Sequence, residues 1–371
     1  MPHNKYIFIL GKNPELSLLE ITSLLPQKNV YFQSDQCLII ESEEKNITNI
    51  QKKLGGTVKI GELISETSNI DTKIFLENLS PLAEEKIYFG FSRYGFDKFS
   101  KQFFKLGLEI KKALKQEGKK VRFVESKEPD LSSVIVQKEI LNKGGVDFLI
   151  IKNQDNYIIG KTLTVQDFKL YSKLDYGRPA ADPKSGMLPP KIAKIMINIS
   201  GTNKDENILD PFCGSGTILQ EAAILGYQNL YGSDISNKAI NDTKKNIEWL
   251  KNNFSLSDIN FQIEKIDATK SSQHYKKKFF DAIITEVNLG PSNVNAKNIQ
   301  SIQNEMQDFY NEALDELKRI IKPDAKLIIA FPAWNINDQI HRLHIKQKSF
   351  HAPILYGREG AKVLREIHFL G

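Results

Sequence analysis

Cysteine is nearly absent: Cys37 and Cys213 are the only two in 371 residues, far apart, with no Cys-x-x-Cys or histidine cluster beside either. Neither a disulfide framework nor a zinc site is indicated, and no metal is expected. No apolar run approaches the ~20 residues that a membrane span needs. The opening Met-Pro-His-Asn-Lys lacks the basic-then-apolar order of a signal peptide. A cytoplasmic protein without a membrane partner is expected. There is no Gly-x-x-x-x-Gly-Lys-Ser/Thr run either, which excludes a P-loop. What the chain does have is 40% hydrophobic residues, enough for sizeable cores, and a length suggesting roughly two to three domains.

The most informative stretch is Asn207-Ile208-Leu209-Asp210-Pro211-Phe212-Cys213-Gly214-Ser215-Gly216-Thr217. An apolar strand ends in an acid, breaks at Pro211 and crosses a Gly-x-Gly turn into a helix over 218–225 that stops at Gly226. Gly214 and Gly216 let a ligand approach the backbone, and the helix start at Thr217 offers free N–H groups and a positive dipole end. A second strand over 230–234 ends in Asp234, followed by Ile235, at the distance where a doubly wound sheet recognises a ribose. A dinucleotide fingerprint would want a third Gly at 219, which is Leu219. Asp210 would repel a pyrophosphate but suits an ammonium, and the helix start suits a carboxylate. S-adenosylmethionine carries both.

Downstream, helices over 237–250 and 302–320 alternate with strands over 259–266, 279–285 and 326–332, and two late strands lie near 354–356 and 363–370. This alternation predicts an α/β fold: a parallel doubly wound sheet with ligand at the carboxyl ends of its strands.

The net charge of +6 is mild, but its distribution is uneven. Lys111, Lys112, Lys115, Lys119, Lys120 and Arg122 fall within twelve residues, flanked by Lys98, Lys101, Lys105, Lys127 and Lys138. On a helix, 108, 111, 112, 115 and 119 share one side, a ridge able to displace counterions from phosphates. The same run also reads as a solvated face. Around it, 88–165 reads as strand, amphipathic helix, short strand, helix, strand and strand. A smaller unit over 1–67 precedes it: strand 6–10, helix 14–25 opening on Asn13-Pro14, strand 37–40, helix 47–54 and strand 58–63. Residues 166–190, rich in Pro and Gly but also in Tyr, Arg and Met, read as a hinge loop packed across the cofactor mouth.

The Asp210-to-Thr217 run resembles motif I of RNA and DNA amino-methyltransferases. The 88–165 pattern resembles a THUMP domain, which in its family grips the acceptor end of tRNA, and 1–67 resembles the ferredoxin-like unit that precedes it. Tyr176-Gly177-Arg178-Pro179 and Ser185-Gly186-Met187-Leu188-Pro189-Pro190 resemble the segment ahead of motif I in THUMP-type tRNA guanosine-N2-methyltransferases. The resemblance implies a Rossmann-like, S-adenosylmethionine-dependent methyltransferase domain (191–371) behind an N-terminal ferredoxin-like (1–67) and THUMP (68–165) region, with tRNA as partner and 166–190 as linker. Cofactor contacts would come from Asp210, Phe212, Gly214, Gly216, Thr217, Asp234 and Ile235, with Asp267 and Ala268 at the adenine. Asp267 reads equally well as an ordinary turn acid.

The family places its chemistry after the fourth strand, as an acid or Asn, two prolines and an aromatic. The acceptors hold the N–H groups of an exocyclic amine and localise its lone pair, and the aromatic stacks on the flipped base. Here the run is Thr285-Glu286-Val287-Asn288-Leu289-Gly290-Pro291. Glu286 and Asn288 are the candidate acceptors, and Phe212, Phe331 or Trp334 the candidate stacking rings. Guanine N2 is the leading target atom. The alternative is a non-catalytic tRNA-binding protein that keeps the cofactor fold, with Glu286 an ordinary strand-end residue.

Overall fold

The computed structural model describes residues 4–25, 29–43, 46–82, 85–96, 101–180, 187–256, 258–291 and 293–371. They form two compact units, Met1–Leu18 with Pro26–Phe168, and Leu19–Leu25 with Lys169–Gly371.

The first unit runs β1 (Asn4–Leu10), the start of α1 (Pro14–Leu24, whose residues from Leu19 on count with the second unit), β2 (Val30–Gln33), β3 (Cys37–Ser42), α2 (Ile47–Lys53), β4 (Thr57–Thr67), α3 (Thr72–Leu79), β5 (Lys86–Tyr94), α4 (Lys101–Gln116) and β6 (Lys120–Val124). It closes with α5 (Ser133–Ile135), which continues into a π-helical turn, then β7 (Val146–Asn153) and β8 (Asn156–Val165). All eight strands share one sheet, ordered β2-β3-β1-β4-β8-β7-β5-β6. The expected boundary between 67 and 68 falls inside this sheet. β4 extends to Thr67 and pairs antiparallel with β8, from Lys59 opposite Val165 to Thr67 opposite Tyr157. That partner lies about a hundred residues away, beyond the reach of local periodicity.

Aromatic packing holds α3 and the strands of this sheet together. Phe75 meets Phe148 edge-on at 4.9 Å between centroids, and Phe89 stacks on Phe123 at 5.0 Å. Gly107 of α4 makes room for Phe123, whose Cζ would lie 2.3 Å from a Cβ there. Across the sheet, Lys59 of β4 is fully buried with Asp147 of β7 at 3.3 Å. Ser92 of β5 and Thr162 of β8 donate to the same carboxylate at 2.8 and 2.7 Å. One buried ion pair thus joins four strands.

The second unit holds α6 (Phe168–Tyr176), α7 (Pro190–Ser200), β9 (Asn207–Asp210), α8 (Thr217–Ile224), β10 (Asn229–Asp234), α9 (Asn237–Asn253), β11 (Asn260–Lys265), α10 (Ser271–His274) and β12 (Phe280–Glu286). It ends with α11 (Ile299–Ile320), β13 (Ile321–Ile336), β14 (Gln339–Arg342), β15 (Ser349–Tyr356) and β16 (Val363–Leu370). The sheet order is β11-β10-β9-β12-β13-β16-β15. β9 to β13 are parallel, as expected, whereas β16 runs antiparallel to both β13 and β15. β9 sits where the strand order reverses, the position that opens a ligand crevice in such sheets.

Two expectations are corrected. The hinge over 166–190 is not all loop, because 168–176 form α6 with Tyr171 and Leu174 buried on one face; residues 181–186 lie outside the described set. β14 is an additional strand, folded back on β13 by Asn337 and Asp338, both at positive φ (51° and 61°). That two-residue turn is a hairpin signal in the sequence itself. Among the described residues, no helix is long and apolar enough to cross a membrane.

Candidate active site

A cavity of about 630 Å³ opens at the carboxyl ends of the parallel strands of the second unit, within the usual range for cofactor sites. Asp210, Asp234 and Glu286, the last residues of β9, β10 and β12, all line it.

The Gly turn has the backbone the sequence requires. Gly214 and Gly216 adopt φ of +52° and +81°, values that a side chain strongly disfavours. A Cβ on Gly216 would also lie 2.9 Å from Cγ2 of Thr243. Thr243 of α9 donates to the Gly214 carbonyl at 2.7 Å, and the Cys213 N–H donates to the Ser233 carbonyl at 2.9 Å, so the turn is pinned to both neighbours. Cys213 is buried, and burial pushes its thiol well above the ordinary range, which fits a space-filler and not a nucleophile.

Asp234 accepts from the Gly214 N–H at 3.1 Å and from the Ser236 N–H at 2.9 Å, one bond per oxygen. Each oxygen retains a lone pair for a hydroxyl. Ile235 follows, 64% exposed at the cavity wall. Gly216 caps α8 without a side-chain hydrogen bond, leaving the first-turn N–H groups open to an anion. Asp210 is buried and accepts from the Thr285 hydroxyl at 2.6 Å and the Phe212 N–H at 3.3 Å. Burial pushes its carboxyl up to about 8. This donor and acceptor set fits a ligand carrying a ribose, an ammonium and a carboxylate. Asp267 and Ala268 do not line the cavity; Asp267 caps the following turn by accepting from Thr269 N–H at 3.0 Å.

After β12 the loop departs from expectation. Glu286 is paired with Arg365 of β16; burial raises its carboxyl and the Arg365 guanidinium opposes the rise. The Asn288 side chain, expected as an acceptor, receives the Gly290 N–H at 2.8 Å, and its carbonyl receives the Tyr310 hydroxyl at 2.6 Å. Its described bonds shape the loop. Phe331 and Trp334, each 1% exposed, belong to the core and offer no stacking face. Phe212 does line the cavity, beside Phe309 of α11, which is 41% exposed there. Phe309 was invisible to motif reasoning because it lies in the middle of α11, 18 positions beyond Pro291.

Two further residues bind the linker to the cofactor turn. Arg178 donates to the Thr217 hydroxyl at 2.7 Å. Asn246 of α9 donates to the carbonyls of Ala180 and Ser215, both at 2.8 Å, and accepts from the Ala180 N–H at 3.0 Å. Arg178 stands in the Tyr-Gly-Arg-Pro run, so its sequence signal was present.

In the first unit the expected cations separate into two groups. Lys111, Lys112 and Lys115 lie on α4, with Lys101 and Lys105 at its start. The helix ends at Gln116, so Lys119 does not extend the ridge. Lys119 donates to the carbonyls of Ser80 and Leu82 at 2.6 and 3.1 Å. Lys120 pairs with Glu85 at 2.5 Å, and Arg122 lies 3.7 Å from Glu139. Lys98 is outside the described residues.

An open, mostly parallel sheet with three strand-end acids around a Gly turn defines the class: a Rossmann-like methyltransferase domain. Residues 178–351 match the RMKL-like methyltransferase domain family. The chain is 30% identical over 143 residues to a probable tRNA (guanine(10)-N2)-dimethyltransferase from Methanothermococcus thermolithotrophicus, covering 38% of this chain and 78% of that one. It is 31% identical over 156 residues to the tRNA (guanine(10)-N2)-dimethyltransferase of Pyrococcus abyssi, covering 42% and 41% of the two chains. The chain belongs to the RMKL-like methyltransferase family. It spans about half the length of the longer curated relatives it matches. TrmN from Thermus thermophilus has a similar fold, with a TM-score of 0.55 at 12% identity over 99% of each chain.

Proposed function

We propose that this protein transfers a methyl group from S-adenosylmethionine to the exocyclic N2 amine of a guanosine in tRNA. The observation that carries the reading is the meeting of Asp210, Asp234 and Glu286 in one cavity around a Gly turn. The relatives named above act on guanine N2 of tRNA, and their likeness supports the same substrate class.

Bound in this cavity, S-adenosylmethionine supplies an electrophilic methyl on a sulfonium. The chain's own residues do the rest. Asp234 accepts from the ribose hydroxyls, Asp210 faces the ammonium, and the open N–H groups of α8 take the carboxylate. Ile235 offers the adenine an apolar surface. Glu286 accepts an N–H of the target amine, which concentrates electron density on N2 and provides a route for its proton as the N–C bond forms. Phe212 and Phe309 give the flipped base a face to stack on.

In the first unit, Lys111, Lys112 and Lys115 contact tRNA phosphates. Residues 68–165 act as the THUMP-type grip and 1–67 as the part that orients it, within the shared sheet. The setting is cytoplasmic.

The test is incubation with methyl-labelled S-adenosylmethionine and a panel of unmodified tRNAs, followed by mass spectrometry of the nucleosides. N2-methylated guanosine is the expected product. Tight tRNA binding with no transfer to any member of the panel would favour the non-catalytic reading.

A further inference from the structure

We propose that Arg365 is a positioning residue for the acceptor carboxylate: from β16 it holds Glu286 in one orientation at the cavity and ties it to Met187 on the rim. The inference rests on the reading of Glu286 as amine acceptor given above.

The acceptor at the end of β12 is a glutamate, longer than an aspartate or asparagine would be. Glutamate adds a methylene and therefore one more rotatable bond, whose freedom must be removed before the carboxylate can hold an amine. Arg365 removes it. Its Nε donates to Oε1 of Glu286, and its Nη2 donates to the Met187 carbonyl at 3.3 Å. The two side chains are 12% and 15% exposed. A guanidinium is planar and rigid, so one hydrogen bond fixes the direction of the other. A carboxylate has about four acceptor sites, so a donor on Oε1 leaves Oε2 available to a substrate N–H.

The surrounding charges give Arg365 a second task. Asp210 on β9 and Asp234 on β10 are acids lining the same cavity, and burial also disfavours an ionised Glu286. Lys238 and Asp242 on α9 also line the cavity and pair with each other at 2.8 Å. Tyr356 of β15 is neutral, with its hydroxyl raised by burial. Arg365 is the cation that pairs with Glu286. It favours the ionised form, the stronger acceptor. The pair lies 79 positions apart, brought together because β13 is hydrogen-bonded to both β12 and β16.

The test uses the full chain with ¹³C-carboxyl glutamate, the Glu286 signal being assigned by its loss in E286Q. In R365Q the titration midpoint of Glu286 should rise, and the acid limb of the methyl-transfer rate should move up by the same amount. R365K keeps the charge but not the fork. Its midpoint should stay near that of the unaltered protein while kcat falls at least several-fold and cofactor KM holds. An unchanged midpoint in R365Q overturns the proposal, as does faster transfer in that variant, which would make the ion pair inhibitory. Should R365Q fail to fold, R365K decides alone, and an unaltered kcat there overturns it. If Glu286 responds as expected but no tRNA is methylated even by the unaltered protein, the functional reading fails while the hold of Arg365 on Glu286 stands.

Discussion

Burial raises the Asp210 carboxyl to about 8, with smaller contributions from Asp234 and Glu286 and opposition from the Thr285 and Phe212 hydrogen bonds. A carboxyl raised on folding stabilises the protein at low pH, and that contribution is lost as pH rises through about 8. Binding has the opposite sign on this limb, since an ammonium prefers the ionised group. The ligand's own ammonium loses its proton near pH 8 as well (α-amino groups titrate at about 7.7–8.0). Affinity for S-adenosylmethionine should therefore be bell-shaped around pH 8, and calorimetry of Asp210→Asn should show the acid limb flattened. Asp234→Ala should weaken cofactor binding by roughly 1–3 kcal/mol, the loss expected for hydrogen bonds to a charged group; wild-type affinity would remove the ribose assignment. Asp210, Gly214, Gly216 and Asp234 were legible in the sequence because strand, turn and helix occupy one short run. Arg365, Asn246 and Phe309 were not, because only distant strand and helix packing brings Phe309 to the cavity, Asn246 to the Gly turn and Arg365 to Glu286.

At the scale of elements, α4 has Phe103, Leu106, Gly107, Ile110 and Leu114 buried on one side, which leaves Lys101, Lys105, Lys112 and Lys115 on the other by helical spacing. Replacing Lys105, Lys112 and Lys115 with Glu should weaken tRNA binding and flatten its salt dependence, by about 0.7–0.9 in slope for each phosphate no longer neutralised. A filter-binding titration across salt concentrations with unchanged slope would return α4 to an ordinary solvated face. Lys119→Glu should behave differently. It removes two bonds to backbone carbonyls, so its first effect is a lower melting temperature, readable by calorimetry. The sequence showed the run of cations but not where the helix stops: Gly118, at φ +81°, marks the end, and Lys119 lies beyond it.

For the whole molecule, the two sheets carry separate cores. In the first, Lys59 and Asp147 are both fully buried. Lys59→Met leaves Asp147 buried without its cation, held only by the Ser92 and Thr162 hydroxyls, and should cost about 3–5 kcal/mol in denaturant unfolding of that unit. S-adenosylmethionine affinity, a property of the second sheet, should not move, and a parallel loss of both would argue against separate cores. The alternation of strands and helices made the second sheet readable from sequence. The first was harder, because β4 owes its length to β8. That same pairing sets a schedule. Ribosomes add roughly 5–20 residues per second, so β4 emerges about 5–20 seconds before the strand that covers its edge. During that interval the nascent chain carries an open strand that any other extended peptide can occupy, so a chaperone's protection would matter most between these two moments of synthesis.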